Sequence, residues 1–155
     1  MLCLTMLLAQ VVITACDDQQ RVAYEAELEA RKLPTARYIV IADVAGRCRM
    51  GNGGSTMLVL ERLYQEYQDE LWRLRVLILH AGGYSQRTPQ HSLSGKLFAA
   101  LPFSLPYSSG TYSMLEMCIR QFAPLAEFAP PGVDWRHLCS SVVFDSKTLF
   151  YHHLI

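Results

Sequence analysis

The sequence predicts one α/β domain with a Rossmann-like, three-layer architecture and a mostly parallel sheet. Apolar runs of strand length alternate along the chain with segments of helical periodicity, which is typical of parallel strands joined by helices. The strand-like runs are apolar throughout, as expected for strands covered on both faces. A chain of 155 residues with 51% hydrophobic content can bury one sizeable core. Ligands of such domains bind at the carboxyl ends of the strands, so a site is expected at that edge.

The first strand and the first helix open this pattern. The β-branched run over residues 10–15 predicts the strand. Asp17 and Asp18 then supply an N-cap for a charged helix, which continues to about Lys32 and is ended by Pro34. The apolar side of this helix is expected to include Val22, Ala26 and Leu33.

The next elements repeat the alternation of strand and helix. Apolar runs over residues 37–43 and 74–80 predict two further strands. Helical spacing between them predicts a helix with the apolar residues Leu60, Leu63, Tyr64, Tyr67 and Leu71. A shorter helix is predicted to start at Thr111, and residues 142–144 are a candidate for one more strand.

The apolar residues before the first strand resemble a secretory leader only superficially. No Lys or Arg precedes them, Gln10 interrupts the run, and the run is too short to span a bilayer. The five cysteines are scattered without a C-x-x-C pair, which favours free thiols in a reducing compartment. We therefore expect a buried strand at residues 11–15 and a cytoplasmic protein. Export and an unstructured start are the alternatives.

The charge balance restricts the classes of partner. Fourteen basic and fourteen acidic side chains give a formal net charge of zero. No global field would therefore recruit nucleic acid or an anionic membrane, and neither is expected as a partner. Any site for an anion must be formed locally.

Two glycine-rich segments, each beginning where an apolar run ends, are the strongest candidates for such a local site. The first contributes Gly51, Asn52, Gly53, Gly54 and Ser55. The second contributes Gly82, Gly83, Tyr84 and Ser85, with Arg87 and Lys96 beyond them. Both segments are predicted as turns whose backbone N–H groups can approach a phosphate closely, with the positive end of a helix dipole nearby. Tight turns without a ligand, and solvated charges at Arg87 and Lys96, are the alternatives.

Two common phosphate motifs do not fit the chain. The loop G-x-x-x-x-G-K-[ST] would need a glycine at Gln90 and a hydroxyl side chain at Leu97. The dinucleotide fingerprint G-x-G-x-x-G starts correctly at Gly51 but would need a glycine at Thr56. Neither motif therefore accounts for the glycines.

The pattern that remains is a strand, then Ala-Gly-Gly, an arginine and a lysine, and it fits nucleotidyl transfer to a sugar phosphate. Catalysis of that reaction consists largely of positioning and charge neutralisation. The backbone of Gly82 and Gly83 would hold a triphosphate. Arg87 would contact the leaving phosphates, and Lys96 would contact the phosphoryl group that is transferred.

Several unusual strings occur here in the order found in one family. They are the glycine segment at residues 51–56, Leu-His-Ala-Gly-Gly-Tyr-Ser-Gln-Arg at residues 79–87, and Gly-Lys at residues 95–96. Over residues 11–133 the chain closely resembles the fucose-1-phosphate guanylyltransferase family. The resemblance implies a nucleotidyltransferase domain that joins GTP and L-fucose 1-phosphate to give GDP-L-fucose and pyrophosphate. It also implies a Mg²⁺ cofactor.

Residues 134–155 depart from this family and are expected to form a divergent C-terminal tail. The family continues beyond Val133 into a strand that ends in neighbouring aspartates, which this chain lacks, so the metal ligands stay unidentified. We expect nucleotide binding with little turnover, and self-association through surface that the rest of the family would cover. A non-catalytic module that binds nucleotide or a protein partner is the alternative function.

Two polar residues at strand ends have more than one interpretation. Asp43 either caps the following segment or contacts ribose or metal. His80 is expected to be a core histidine that supports the site, because transfer to a phosphate oxygen needs no general base.

Overall fold

A mixed sheet of five strands, with the order β2-β1-β3-β4-β5, organises the computed structural model. The structure describes residues 10–31, 33, 37–44, 51–74, 76–82, 95–102, 111–122, 141–145 and 148–152. The strands are β1 (Gln10–Ala15), β2 (Arg37–Ala42), β3 (Val76–His80), β4 (Ser141–Asp145) and β5 (Thr148–His152). The α-helices are α1 (Asp18–Ala30), α2 (Gly51–Tyr67) and α3 (Met114–Phe122), and short 3-10 helices cover Gln68–Arg73 and Lys96–Phe98. The α/β class predicted from the sequence is confirmed.

The first three strands form the parallel part of the sheet. β1 lies between β2 and β3 and pairs in parallel with both, so that Thr14 is level with Ile41 on one side and His80 on the other. β4 and β5 add to the other side of β3 in antiparallel pairs. The prediction of a mostly parallel sheet therefore holds for three strands, and the last two run antiparallel. Because β2 and β3 lie on opposite sides of β1, a crevice is expected at the carboxyl end of β1.

Two hydrophobic cores lie on the opposite faces of the sheet, because successive side chains of a strand point to opposite sides. All six residues of β1 are buried. One core joins alternate residues of β1 and β3 to Tyr24 of α1 and to α3, with Leu97 and Phe98 beside them. The other core joins Val12 and Ile78 to α2. Helices thus cover both faces of the parallel strands.

Helix α1 begins where the sequence predicts but buries a different face. The side chain of Asp17 accepts a hydrogen bond from the backbone N–H of Gln20 and caps the helix. Tyr24 is fully buried, whereas Val22 is 55% exposed. The prediction of Val22 as an inward-facing residue was wrong. The helix faces the sheet with Gln20, Tyr24 and Leu28, which are spaced by four residues.

Helix α2 starts earlier than predicted and includes the first glycine segment. Residues 51–55 form its first turns, so this segment is helical rather than a turn that precedes a helix. The earlier start sets the buried face, which carries Ser55, Thr56, Val59 and Leu63. Tyr64, predicted on the apolar side, is 45% exposed. The sequence did not indicate the true start of the helix, because the low helix propensity of the glycines favours a turn.

Helix α3 begins at Met114, and its start is explained by a capping box. The backbone N–H and the hydroxyl of Ser113 both donate to Glu116 Oε2, at 2.8 and 2.7 Å. The N–H of Glu116 donates back to Ser113 Oγ at 3.3 Å. The predicted start at Thr111 was therefore a few residues early.

The predicted strand at residues 142–144 is confirmed as part of β4, whereas β5 was not predicted. None of the helices in the described residues is long and apolar enough to cross a membrane.

Candidate nucleotide site

The carboxyl ends of the three parallel strands bring the candidate residues to one edge of the sheet. β1 ends at Ala15, β2 at Ala42 and β3 at His80. The backbone N–H of Asp43 donates to the carbonyl of Ala15 at 2.8 Å, so β2 and β1 stay paired up to the edge. Gly82 follows β3 directly and lies against β1. A Cβ atom at Gly82 would stand 3.0 Å from the backbone of Ala15 and Cys16.

The start of α2 is attached to this edge by Asp43. The hydroxyl of Ser55 donates to Asp43 Oδ1 at 2.5 Å. Asp43 therefore holds the helix start through the side chain of Ser55, whereas its predicted role as a cap of the following loop concerns residues outside the described part of the chain. Its second carboxylate oxygen makes no hydrogen bond to a described residue and is available to a ligand.

The backbone N–H groups of residues 51–54 are the first four of α2 and have no partner within the helix. Gly51 has a φ of +66°, which favours glycine. Gly53 has neither a positive φ nor a close neighbour, since a Cβ atom there would meet nothing within 4 Å. The space over the helix start is therefore open, and the local dipole favours an anion.

Tyr24, a residue that the sequence analysis did not assign to the site, contacts Ala81 after β3 and Gly95 before Lys96. The Tyr24 hydroxyl donates to the carbonyl of Ala81 at 3.0 Å. Gly95 has a φ of +67°, and a Cβ atom there would collide with the Tyr24 hydroxyl and ring. Tyr24 thus joins the turn after β3 to the residue that precedes Lys96. Lys96 is exposed, while Leu97 and Phe98 behind it are buried.

Burial keeps Tyr24 and the nearby thiols protonated. It raises the pKa of Tyr24 well above its usual range, with the neighbouring Cys16 and Asp17 adding to the effect, so the hydroxyl stays a donor. Burial and the hydrogen bond to Asp17 raise the pKa of Cys16 to about 11. Burial also raises the pKa of Cys118 to about 11. Neither thiol has the low pKa of a catalytic nucleophile.

A hydrogen-bonded chain joins the three elements beneath the edge. Thr56 of α2 lies 2.9 Å from Nε2 of His80, and Nδ1 of His80 lies 3.4 Å from Oγ1 of Thr14 in β1. Both threonines are buried. His80 therefore supports the helix start from the side opposite to Asp43, which is consistent with the expectation of a supporting histidine.

The carboxylates at the edge can be tested against Mg²⁺, which usually takes one or two protein carboxylates together with phosphates and water. Asp17 uses Oδ1 to cap α1 and accepts a weak hydrogen bond from Cys16 Sγ at Oδ2. Asp43 keeps one oxygen available. Among the described residues no three His, Cys, Asp or Glu side chains cluster closely enough to hold a metal alone. Asp43 together with substrate phosphates fits such an ion.

A groove of about 700 Å³ runs beside Asp43 along the outer edge of β2. Its walls come from α1 and α2, with Arg21, Leu58 and Arg62 among the lining residues. Small-molecule sites commonly have volumes of about 300 to 1,000 Å³. The groove is therefore large enough for a nucleoside beside Asp43 and the later turns of α2.

The structure joins some of the predicted site residues and leaves others outside its description. The helix start that carries Gly51, Asn52, Gly53, Gly54 and Ser55 is linked to the end of β3 by the contact between Thr56 and His80. Gly82 packs against the end of β1, and Lys96 follows Gly95, which packs against Tyr24. Gly83, Tyr84, Ser85 and Arg87 lie outside the described residues.

Comparisons with known proteins agree with the resemblance noted in the sequence. The family model of the fucose pyrophosphorylase domain matches residues 68–143. The fucose-1-phosphate guanylyltransferase of Mus musculus is 41% identical over 128 residues, 79% of this chain and 21% of its own length. The Homo sapiens protein of the same name is 38% identical over 128 residues, 79% of this chain and 20% of its own length. No solved structure shows significant similarity.

A third relative extends the match to bacteria. The L-fucokinase/L-fucose-1-P guanylyltransferase of Bacteroides fragilis is 32% identical over 80 residues, 48% of this chain and 8% of its own length. The chain spans about a fifth of the length of the two mammalian relatives. All three relatives are named as transferases, which does not favour the non-catalytic alternative. The family model and the two mammalian relatives support the chain as a partial fragment of the fucose-1-phosphate guanylyltransferase family.

Proposed function

We propose that this chain forms the nucleotide-binding part of a fucose-1-phosphate guanylyltransferase, which joins GTP and L-fucose 1-phosphate and releases pyrophosphate. The observation that carries the proposal is that the start of α2, which holds the first glycine segment, meets the ends of β2 and β3 at one edge of the sheet. Ser55 bonds to Asp43 at the end of β2, and Thr56 contacts His80 at the end of β3, just before Gly82. Phosphate sites of α/β domains lie at this edge. The names of the relatives supply the substrates.

The start of α2 is the proposed seat of the phosphates. Four N–H groups without a partner inside the helix and the positive end of the helix dipole favour negative charge there. A glycine in a helix costs about 0.5–1 kcal/mol relative to alanine. The open space around Gly53 means that packing does not require this cost. Close approach of a phosphate to the backbone would account for it.

Lys96 is proposed to neutralise the phosphoryl group that is transferred, and Arg87 to contact the leaving pyrophosphate. Lys96 is exposed and makes no ion pair with a described residue, so its charge is available to a ligand. In the reaction, an oxygen of L-fucose 1-phosphate bonds to the α-phosphorus of GTP while the bond to pyrophosphate breaks. The attacking phosphate oxygen is already deprotonated, so the chain has to position and neutralise charges rather than remove a proton.

Asp43 is the proposed protein ligand for Mg²⁺. The ion would supply neutralisation of the negative charge on the phosphates when bound. Asp43 stands where the helix start, the end of β2 and the groove meet. Its carboxylate can therefore orient the nucleotide and still hold the Ser55 hydroxyl through the other oxygen.

We further propose a cytoplasmic location and self-association. The described cysteines, Cys16 and Cys118, are free thiols, as expected in a reducing compartment. Val44, Met57 and Tyr64 are large hydrophobic residues that are about half exposed or more. Their exposure supports contact with another protein surface. Sedimentation velocity over a range of concentrations tests the self-association, and a monomer at every concentration would contradict it.

Titration of GTP into the purified chain tests the binding proposal. GTP with Mg²⁺ should bind more tightly than ATP or UTP, and Asp43→Asn should weaken the Mg²⁺-dependent part of the affinity. Asp69→Asn, a carboxylate in the 3-10 helix after α2, is the matched control and should leave affinity unchanged. Equal affinity for the three nucleotides would contradict the proposed specificity for guanine. No binding of any of them would overturn the proposal.

A further inference from the structure

His80 of β3 makes hydrogen-bond contacts to Thr14 of β1 and Thr56 of α2, and so links two neighbouring strands to the start of α2. Nε2 lies 2.9 Å from Oγ1 of Thr56, and Nδ1 lies 3.4 Å from Oγ1 of Thr14. Thr14 is 3% exposed and Thr56 is 7% exposed, so water competes little for these contacts. The imidazole of His80 thereby holds together the hydroxyls of Thr14 and Thr56, which lie far apart in the chain.

The direction of these hydrogen bonds follows from the proton of Thr56. Its hydroxyl donates to the backbone carbonyl of Asn52 at 2.9 Å. A hydroxyl has one proton to give, so Nε2 of His80 must be the donor in the shorter contact. In a neutral imidazole Nδ1 is then an acceptor, and Thr14 donates to it. These contacts therefore favour the Nε2–H tautomer.

The start of α2 needs such support. Three of its first four residues are glycines, and one without a positive φ, such as Gly53, costs about 0.5–1 kcal/mol relative to alanine in a helix. The hydroxyls of Ser55 and Thr56 contact Asp43 on one strand and His80 on another. These two contacts hold a segment that would otherwise fray.

We infer that His80, in its Nε2–H form, is a positioning residue that holds the first turn of α2 in place for the phosphates of the nucleotide. The inference deepens the proposed function and rests on it for the identity of the ligand. The ordering of the helix start, however, is a property of the chain without nucleotide. The imidazole would lower the entropic cost of binding by fixing the donor N–H groups beforehand.

Paired substitutions separate positioning from general stability. His80→Gln places an amide N–H near the position of Nε2 and should keep GTP affinity within about threefold. His80→Asn places its amide near Nδ1, loses the donor to Thr56, and should weaken GTP by about tenfold, the equivalent of one hydrogen bond. Thr56→Ser keeps the hydroxyl and Thr56→Val removes it, and they should fall into the same two groups. Equal affinity for His80→Gln and His80→Asn would overturn the inference.

Two measurements on the protein without nucleotide decide the inference independently of GTP. Nitrogen-15 NMR of the histidine ring, at a pH where the imidazole is neutral, should give the Nε2–H tautomer. Hydrogen exchange of the amides at residues 55–59 should accelerate in His80→Asn but not in His80→Gln, while exchange in β1 stays unchanged. An Nδ1–H tautomer, or uniform acceleration, overturns the positioning role. These results with no binding of GTP would uphold the helix support and instead refute the proposed function.

Discussion

The glycines at the two ends of the site meet opposite surroundings. Gly82 and Gly95 are in tight places: a Cβ atom at Gly82 would press on the backbone of β1, and one at Gly95 would collide with Tyr24. Gly53, in the first turns of α2, has open space around it. The folded chain requires glycine in the first region, whereas it gains nothing from glycine at Gly53. A residue that costs stability without serving the fold points to a ligand.

Four substitutions test this comparison, in order of their effect on the free energy of unfolding. Gly95→Ala should have the largest effect, a loss of about 2–5 kcal/mol, because the left-handed φ and the collision with Tyr24 add together. Urea unfolding measures it. Gly95→Asn tolerates the positive φ better but keeps the collision, so it should stay well below the wild type. Near-wild-type stability of Gly95→Asn would show that the contact with Tyr24 is unimportant.

Gly82→Ala should lower stability by about 1–3 kcal/mol. The added methyl group meets backbone atoms of Ala15 and Cys16, which cannot move without disturbing β1. Thermal and urea unfolding of the variant measure the loss. Unchanged stability would mean that β1 and the turn after β3 are not in close contact.

Gly53→Ala should raise stability by about 0.5–1 kcal/mol and yet weaken GTP by about tenfold. The methyl group favours the helix but occupies the space proposed for a phosphate. Unfolding and nucleotide titration on the same protein give both numbers. Glu61→Ala, an exposed position of the same helix, is the control and should not change affinity. If Gly53→Ala binds GTP as tightly as the wild type, Gly53 is not part of the nucleotide site.

Lys96→Met should change stability least, within about 0.5 kcal/mol, because the side chain is exposed and unpaired among the described residues. GTP affinity should still fall by about tenfold or more through loss of a charge-assisted contact. Arg120→Met, an exposed cation of α3 outside the groove, serves as the comparison for nonspecific charge effects. Equal affinity losses in the two variants would show that Lys96 acts only through net charge.

The strands were the most predictable part of the fold. The predicted span of residues 10–15 matches β1, and the spans for β2 and β3 differ from the structure by one or two residues at one end. Apolar runs bounded by polar residues carry this information locally. The inward faces of α1 and α2 were less predictable. Tyr24 rather than Val22 faces the sheet, because packing against the strands selects one of two apolar sides.

The candidate site was predictable only in its glycines and in the edge where they lie. The sequence analysis did not assign Tyr24 or Thr56 to it. The contact of Tyr24 with Ala81 spans 57 residues of the chain, and that of Thr56 with His80 spans 24. Partners at such separations leave no periodic signal in one sequence, and only the folded sheet brings them together.

The place of β1 between β2 and β3 has a consequence for synthesis of the chain. β1 is entirely buried, yet the strand that covers its second side follows 66 residues later. At about 5 to 20 residues per second, the ribosome needs roughly 3 to 13 seconds to supply it. During that interval an apolar strand with unpaired edges is exposed outside the ribosome, where it can associate with other nascent chains. Chaperones that bind extended apolar segments would therefore bind β1 during this interval.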